Sequence, residues 1–407
     1  MSGRWLSIIG IGEDGRSGLG TAANALIDAA DLIVGGERHL ALVGETRGKK
    51  MRWLTPLEAT SKEILARRGT PVAVLVSGDP FCFGAGVTLA RSIPVEEMLV
   101  VPSPSSFSLA ASRLGWALQE TAMLGLNMRG LTPLLRRHVH RGRRILALAL
   151  NGETPGEVAK LLIASGYGKS TVTVMEALGG PRERIRSTTA DAFALTDVDP
   201  LNVIGIDVVA GPDAMPIPYV AGLPDDYFEN DGQLTKREFR AVTLSSLQPC
   251  PGELLWDVGT GSGSVGIEWL LAHPSNRAIG LERDEARAAR AARNAIALGV
   301  PHFDIRCGFA PEALNSLPAP DAIFIGCGTT DGNVIEGCWN ALKPGGRIVV
   351  NSVTLESEQA LLAAYHAHGG TLTRLGIERA EPLGKRMTWR PALPIIQWVC
   401  SKSGVEA

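Results

Sequence analysis

At 407 residues the chain is longer than one ordinary hydrophobic core supports, and a hydrophobic fraction of 45% is enough to fill two. A formal net charge of −2 argues against any global attraction to nucleic acid or anionic lipid. The six cysteines (Cys82, Cys250, Cys307, Cys327, Cys338, Cys400) form no C-x-x-C pair and no metal-ligand spacing, so they read as reduced thiols and no metal is expected.

Met1-Ser2-Gly3-Arg4 leads directly into a strand pattern without a signal peptide, and no apolar run reaches the length of a membrane span. A cytoplasmic α/β protein is expected, with neither membrane nor nucleic acid as partner. Residues 5–9 read as a buried strand entering Gly10-Ile11-Gly12-Glu13-Asp14-Gly15, which matches the dinucleotide pattern G-x-G-x-x-G. Gly18 and Gly20 then stand where a first helical turn should form, and glycine is a poor helix former, so NAD is disfavoured. A helix is expected over 22–30, followed by a short strand over 31–36. The strand at 72–76 enters Ser77-Gly78-Asp79-Pro80, and the run at 99–102 enters Ser103-Pro104-Ser105-Ser106, where hydroxyls can cap a helix or touch a ligand.

Basic residues crowd the next stretch: Arg129, Arg136, Arg137, His138, His140, Arg141, Arg143 and Arg144. Leu131, Leu134, Leu135 and Val139 fall at helical spacing, which makes the arginines a solvated helix face; contact with a carboxylate-rich substrate is the second reading. Lone histidines such as His39 read as surface groups. Strands at 144–150, 170–176 and 201–209 complete a first α/β domain over 1–211. Pro212, Pro216 and Pro218 then make a semi-rigid linker over 212–230.

In the second domain, 231–407, Gly232-Gln233-Leu234-Thr235-Lys236-Arg237-Glu238 opens a helix, and Thr235 with Glu238 fits a capping box. An apolar strand then meets Asp257-Val258-Gly259-Thr260-Gly261-Ser262-Gly263 and turns into a helix. Small residues let the backbone approach a ligand, and N–H groups at a helix start favour a polar or anionic one. The next strand, 277–282, ends in Glu282, whose carboxylate can accept both hydroxyls of a ribose. Two final strands, 371–380 and 394–400, are expected to pair antiparallel.

These motifs carry two family resemblances. Strand-G-D-P and strand-P-S-S before a helix, after a glycine-rich first turn, resemble the tetrapyrrole methylases, with Glu13 standing where that family usually has proline. The strand, D-x-G-x-G-x-G turn, helix and terminal acid resemble the class I methyltransferases that use S-adenosylmethionine. G-x-L-T-K-R-E, L-W-D-x-G-x-G-S-G-S-V-x-I-E-W, P-G-G-R-x-V-V-N and V-T-L-E-x-E narrow this to the decarboxylating precorrin methyltransferases of cobalamin synthesis. Cys327 and Phe309 depart from that family's pattern.

The resemblance implies a tetrapyrrole methylase fold joined to a Rossmann-like class I fold, each binding one S-adenosyl-L-methionine, with a precorrin as substrate and a homo-oligomer expected. It implies methylation at C5 by the first domain, and methylation at C15 with decarboxylation of the C12 acetate by the second. Cofactor contacts are expected at Gly10, Gly12, Gly78, Asp79, Ser105 and Ser106 in the first half. In the second they are expected at Thr235, Gly259, Thr260, Gly261, Ser262, Gly263, Glu282 and Ala310, with Asp257 bracing the turn. Arg379, Lys385, Arg386 and Arg390 are candidates to hold substrate carboxylates. No catalytic triad or carboxylate pair stands out, and methyl transfer to an enamine-like carbon demands alignment in a dry pocket rather than such a group. The alternatives are a methyltransferase on another substrate with the first half as a recognition module, and a cofactor sensor.

Overall fold

A computed structural model describes residues 3–326 and 333–404. The chain divides into two compact units, Met1–Met215 and Pro216–Ala407.

The first unit holds two five-stranded sheets. One is built from β1 (Leu6–Ile11), β2 (Leu32–Gly35), β3 (Lys49–Arg52), β4 (Val72–Ser77) and β5 (Met98–Val101), all parallel, in the order β3-β2-β4-β1-β5. Every residue of β1 and β2 is buried, as expected of parallel strands covered on both faces. The other contains β6 (Thr121–Gly125), β7 (Arg144–Leu148), β8 (Thr171–Glu176), β9 (Arg184–Thr189) and β10 (Asn202–Asp207), in the order β6-β7-β10-β8-β9. It is mostly antiparallel; only β6 and β7 run together.

No helix opens at the third glycine of the dinucleotide-like string. A single 3-10 turn, Gly15–Gly18, intervenes before the helix Thr21–Ala29. The basic stretch departs from the expectation of a solvated helix face. It forms a 3-10 helix, Thr132–His138, in which Arg136 is buried and donates to the Met215 carbonyl. Burial and the neighbouring Arg137 and Arg143 guanidiniums hold the His138 ring well below its usual range, at about 4.

The second unit is a seven-stranded sheet: β11 (Leu254–Val258), β12 (Arg277–Glu282), β13 (Asp304–Cys307), β14 (Ala322–Ile325), β15 (Arg347–Ser352), β16 (Thr371–Leu375) and, beyond an inserted hairpin, β19 (Ile395–Ser401). The hairpin is β17 (Glu378–Leu383) with β18 (Arg386–Pro391), which pair only with each other. Strand order is β13-β12-β11-β14-β15-β19-β16, with the β15-β19-β16 end antiparallel. The closing antiparallel pair is thus present, but its two strands are separated by a projecting arm.

The proline-rich stretch read as a connection contributes to this unit's core, since Ile217, Leu223 and Phe228 are buried among helix and sheet residues. A polar clamp holds it there. Glu268 accepts from the Gly222 and Leu223 N–H groups at 2.6 and 2.9 Å and from Arg240 Nε at 2.6 Å. The fully buried Arg240 also donates to Asp225 at 3.1 Å and to the carbonyls of Leu223 and Thr235. Removing one partner of a buried pair leaves an uncompensated charge. Glu268→Ala should therefore destabilise the second unit by about 3–5 kcal/mol, read as a lowered urea midpoint, whereas alanine at the exposed Glu356 of the same unit should change it little.

Candidate active sites

In the first unit the ends of β1 and β4, the loop after β5 and the start of the helix Ser106–Leu114 open onto a cavity of about 310 Å³. Gly12, Gly78, Asp79, Ser105 and Ser106 line it, together with Leu148, Met175 and Val203 from the second sheet. Each has a local reason to be there. Gly78 takes φ +53°, a left-handed conformation that suits glycine. Asp79 Oδ1 accepts from Phe81 N–H at 2.8 Å, and Ser105 caps the helix by accepting from Ser108 N–H at 3.1 Å. Gly10 does not line the cavity. A side chain there would collide with the Gly78 carbonyl and the Ser103 backbone, so glycine is required for close packing.

His39 is no surface group: it lines this cavity with Arg38 and Glu13. Arg38 is paired with Glu13 and donates to Ser77 Oγ at 2.7 Å and to His39 Nε2 at 2.9 Å. A guanidinium cannot accept, so Nε2 presents its lone pair and the ring proton belongs on Nδ1. Burial, then the Arg38 charge, lower the His39 pKa to about 4, leaving a neutral ring at physiological pH. The Arg38-His39 dipeptide carries no spacing signal that distinguishes it from a surface pair.

The second unit has a larger cavity, about 570 Å³, across the carboxyl ends of its strands. Thr235, Gly259, Thr260, Gly261, Ser262 and Glu282 line it. The turn glycines Gly259, Gly261 and Gly263 have φ of +76°, +58° and +83°, so the chain reverses at no steric cost. Thr260 Oγ1 donates back to the Asp257 carbonyl at 2.7 Å. Glu282 Oε2 accepts from Gly261 N–H at 2.8 Å and Oε1 from Asp284 N–H at 3.1 Å. Each carboxylate oxygen keeps a further lone pair for a vicinal diol. Gly263 is set behind the lining, closing against Ala291 and Ile267, and Ala310 packs on a core cluster instead of the cavity. Phe309 is exposed and also outside the lining, and Cys327 lies outside the described residues.

The capping box is not made. The helix begins at Arg237 with Lys236 as its cap and no side-chain bond, while Glu238 pairs with Arg379. Thr235 is thereby left facing the cavity. Of the other basic candidates, Arg390 pairs with Glu381 at 3.2 Å, and Lys385 and Arg386 are exposed on the β17–β18 arm. Phe239, Phe324, Asn351 and Leu393, none of them singled out as a site residue from the sequence, also line the cavity.

Asp257 is buried in this wall. Its Oδ2 accepts from Gly266 N–H at 2.9 Å, and its Oδ1 has no partner. The cavity fits S-adenosylmethionine: two acids suit a cationic sulfonium ligand with a ribose, and an unmatched buried oxygen awaits a donor. Burial, against the Gly266 N–H and aided by the Glu282 charge, pushes Asp257 from 3.8 up to about 7. The folded chain then holds an extra proton between those values. The resulting stability is complete below pH 3.8 and is lost as pH rises through about 7. Between pH 5 and 8 the wild type should lose roughly 2–3 kcal/mol that Asp257→Asn retains, measured as the difference between their denaturant midpoints.

Family models match both units: tetrapyrrole (corrin/porphyrin) methylases over residues 6–194 and the precorrin methyltransferase domain over 226–402. A precorrin-6Y C(5,15)-methyltransferase (decarboxylating) from Sinorhizobium sp is 52% identical over 399 residues, covering 98% of this chain and 96% of that one. One of the same name from Mycobacterium tuberculosis is 39% identical over 399 residues, covering 97% and 99%. The crystal structure of the C-terminal domain of precorrin-6Y C5,15-methyltransferase from Rhodobacter capsulatus is 44% identical, with TM-score 0.43, covering 46% of this chain and all of that one. The chain belongs to the precorrin-6Y C(5,15)-methyltransferase (decarboxylating) family, S-adenosylmethionine-dependent enzymes of cobalamin synthesis.

Proposed function

We propose that the chain carries two methylation sites, one per unit, that act on a reduced precorrin-6: C5 at the first cavity, C15 with loss of the C12 acetate carboxylate at the second. S-adenosylmethionine supplies an electrophilic methyl group when bound. In the second unit Glu282 would hold the ribose hydroxyls. Gly259 to Ser262 would let the backbone approach, and Asp257 and Thr235 would face the methionyl part. In the first, Gly12, Gly78, Asp79, Ser105 and Ser106 would do the equivalent work. Walls such as Phe239 and Phe324 exclude water, which keeps nucleophilic carbon, methyl and sulfur in line.

The observation that most supports two sites is that each unit has its own cavity lined by its own motif residues. Mass spectrometry of reduced precorrin-6 treated with the intact chain and S-adenosylmethionine tests the reading. The expected product has gained two methyl groups and lost one carbon dioxide; a single methylation would remove one unit from catalysis. Glu282→Gln keeps the shape of the second site but removes its charge. It should raise the KM for S-adenosylmethionine in carbon dioxide release about tenfold or more with little change in kcat.

A further inference from the structure

Strand order divides the second cavity into two ends. Glu282 on β12 and the turn after β11 occupy one, so the space outside β14, β15 and β19 is left for the molecule being modified. That end is lined by Phe324, Asn351, Val353, Leu393 and Ile395, four apolar residues and one amide. Arg287, in the same cavity, is already held by Asp231 at 2.9 Å. Lys236 opens the helix Arg237–Leu247 and stands seven residues before Thr243, about 10 Å along the helix from the hydroxyl that Asn351 contacts.

Asn351 is 8% exposed, and its orientation is dictated by a hydrogen-bond chain. Thr243 Oγ1 donates to the Phe239 carbonyl at 2.8 Å, so it can only accept from its other neighbours. Asn351 Nδ2 donates to it at 2.9 Å and Gln397 Nε2 at 3.3 Å. Gln397 Nε2 spends its second hydrogen on Asn351 Oδ1 at 3.0 Å, and Gln397 Oε1 accepts from Ser246 Oγ at 2.8 Å. The hydroxyl of Thr243 and the amide hydrogens of Gln397 are then all used. One N–H of Asn351 remains, in the floor of an otherwise apolar chamber.

We propose that this N–H holds the substrate carboxylate that is lost as carbon dioxide, making Asn351 a catalytic residue for decarboxylation; this rests on the precorrin reading above. In the step, the carbon–carbon bond to the carboxylate breaks and carbon dioxide departs. The bonding electrons enter the conjugated macrocycle, itself protonated beforehand. A proton from water then adds to the exocyclic carbon and the ring gives its own proton back to solvent, so that a methyl group replaces the acetate arm and one proton is consumed overall. The negative charge on the carboxylate vanishes in this step. A cation would stabilise the starting carboxylate more than the departing carbon dioxide, whereas a neutral donor orients it without that penalty. Apolar walls add to the effect by withholding water.

The test compares Asn351→Leu and Asn351→Asp in the intact chain, reading both products by mass together with S-adenosylmethionine binding and the denaturant midpoint. The aspartate variant still accepts from Gln397, and Thr243 can turn its hydroxyl from the Phe239 carbonyl to the new carboxylate oxygen, so it decides the question if the leucine variant does not fold. The expected result is a folded, cofactor-binding variant that methylates C15 but whose ratio of decarboxylated to methylated product falls roughly tenfold or more. An unchanged ratio overturns the proposal. So does a parallel loss of both reactions, which would make Asn351 a general support of the cavity floor. A wild type that leaves reduced precorrin-6 untouched would instead overturn the functional reading itself.

Discussion

Two carboxylates reaching for backbone N–H groups organise the second unit. Glu282, at the end of β12, accepts from Gly261, and Asp257, at the end of β11, accepts from Gly266. Together they fix the turn that joins β11 to the helix Ser264–Ala272, which would otherwise be a flexible run of glycines. Thr260 locks its other side, and an added side chain on Gly280 would come within 2.6 Å of Thr260 Oγ1. The wall of this cavity is therefore made of backbone held by acids. Burial is what gives Asp257 its unusual affinity for a proton, so folding and the electrostatics of the site are coupled through one side chain.

The front wall of the cavity depends on a second buried cluster. Arg240 and Glu268 draw in the segment from Gly222 to Thr235, and through it Gly232, Leu234 and Thr235 reach the cavity rim. A third network, from Ser246 to Thr243, builds the floor. Acids, an ion cluster and an amide chain thus serve three faces of one pocket. The first unit uses the Ser105 cap and the packing of Gly10 against Gly78, with the Arg38, Glu13 and His39 group at its rim.

Much of this was legible in the residue order, for physical reasons. Glycines at positive φ and an acid ending a strand have few alternative explanations, so the turn at Gly259 to Gly263 and Glu282 could be read directly. Gly10 falls outside the lining, and in the sequence a glycine that lets two strands approach looks the same as one that admits a ligand. Thr235 and Glu238 have capping-box spacing, yet the helix starts two residues after Thr235 and Glu238 turns to Arg379. Arg136 was read as solvated from its neighbours' periodicity, but its carbonyl partner, Met215, is remote in sequence. Asn351 closes the P-G-G-R-x-V-V-N string and Phe324 opens F-I-G-x-G, but neither string says which face the side chain takes. Their roles arise from register, Asn351 lying opposite Gln397 across β15 and β19, and register is a tertiary property.

The central claim is that each unit binds its own methyl donor, and calorimetric titration of the intact chain with S-adenosylmethionine addresses it most directly. The account predicts two molecules bound per chain. A stoichiometry of one, under conditions where the chain is fully folded, would contradict it and leave one of the two cavities without its assigned ligand.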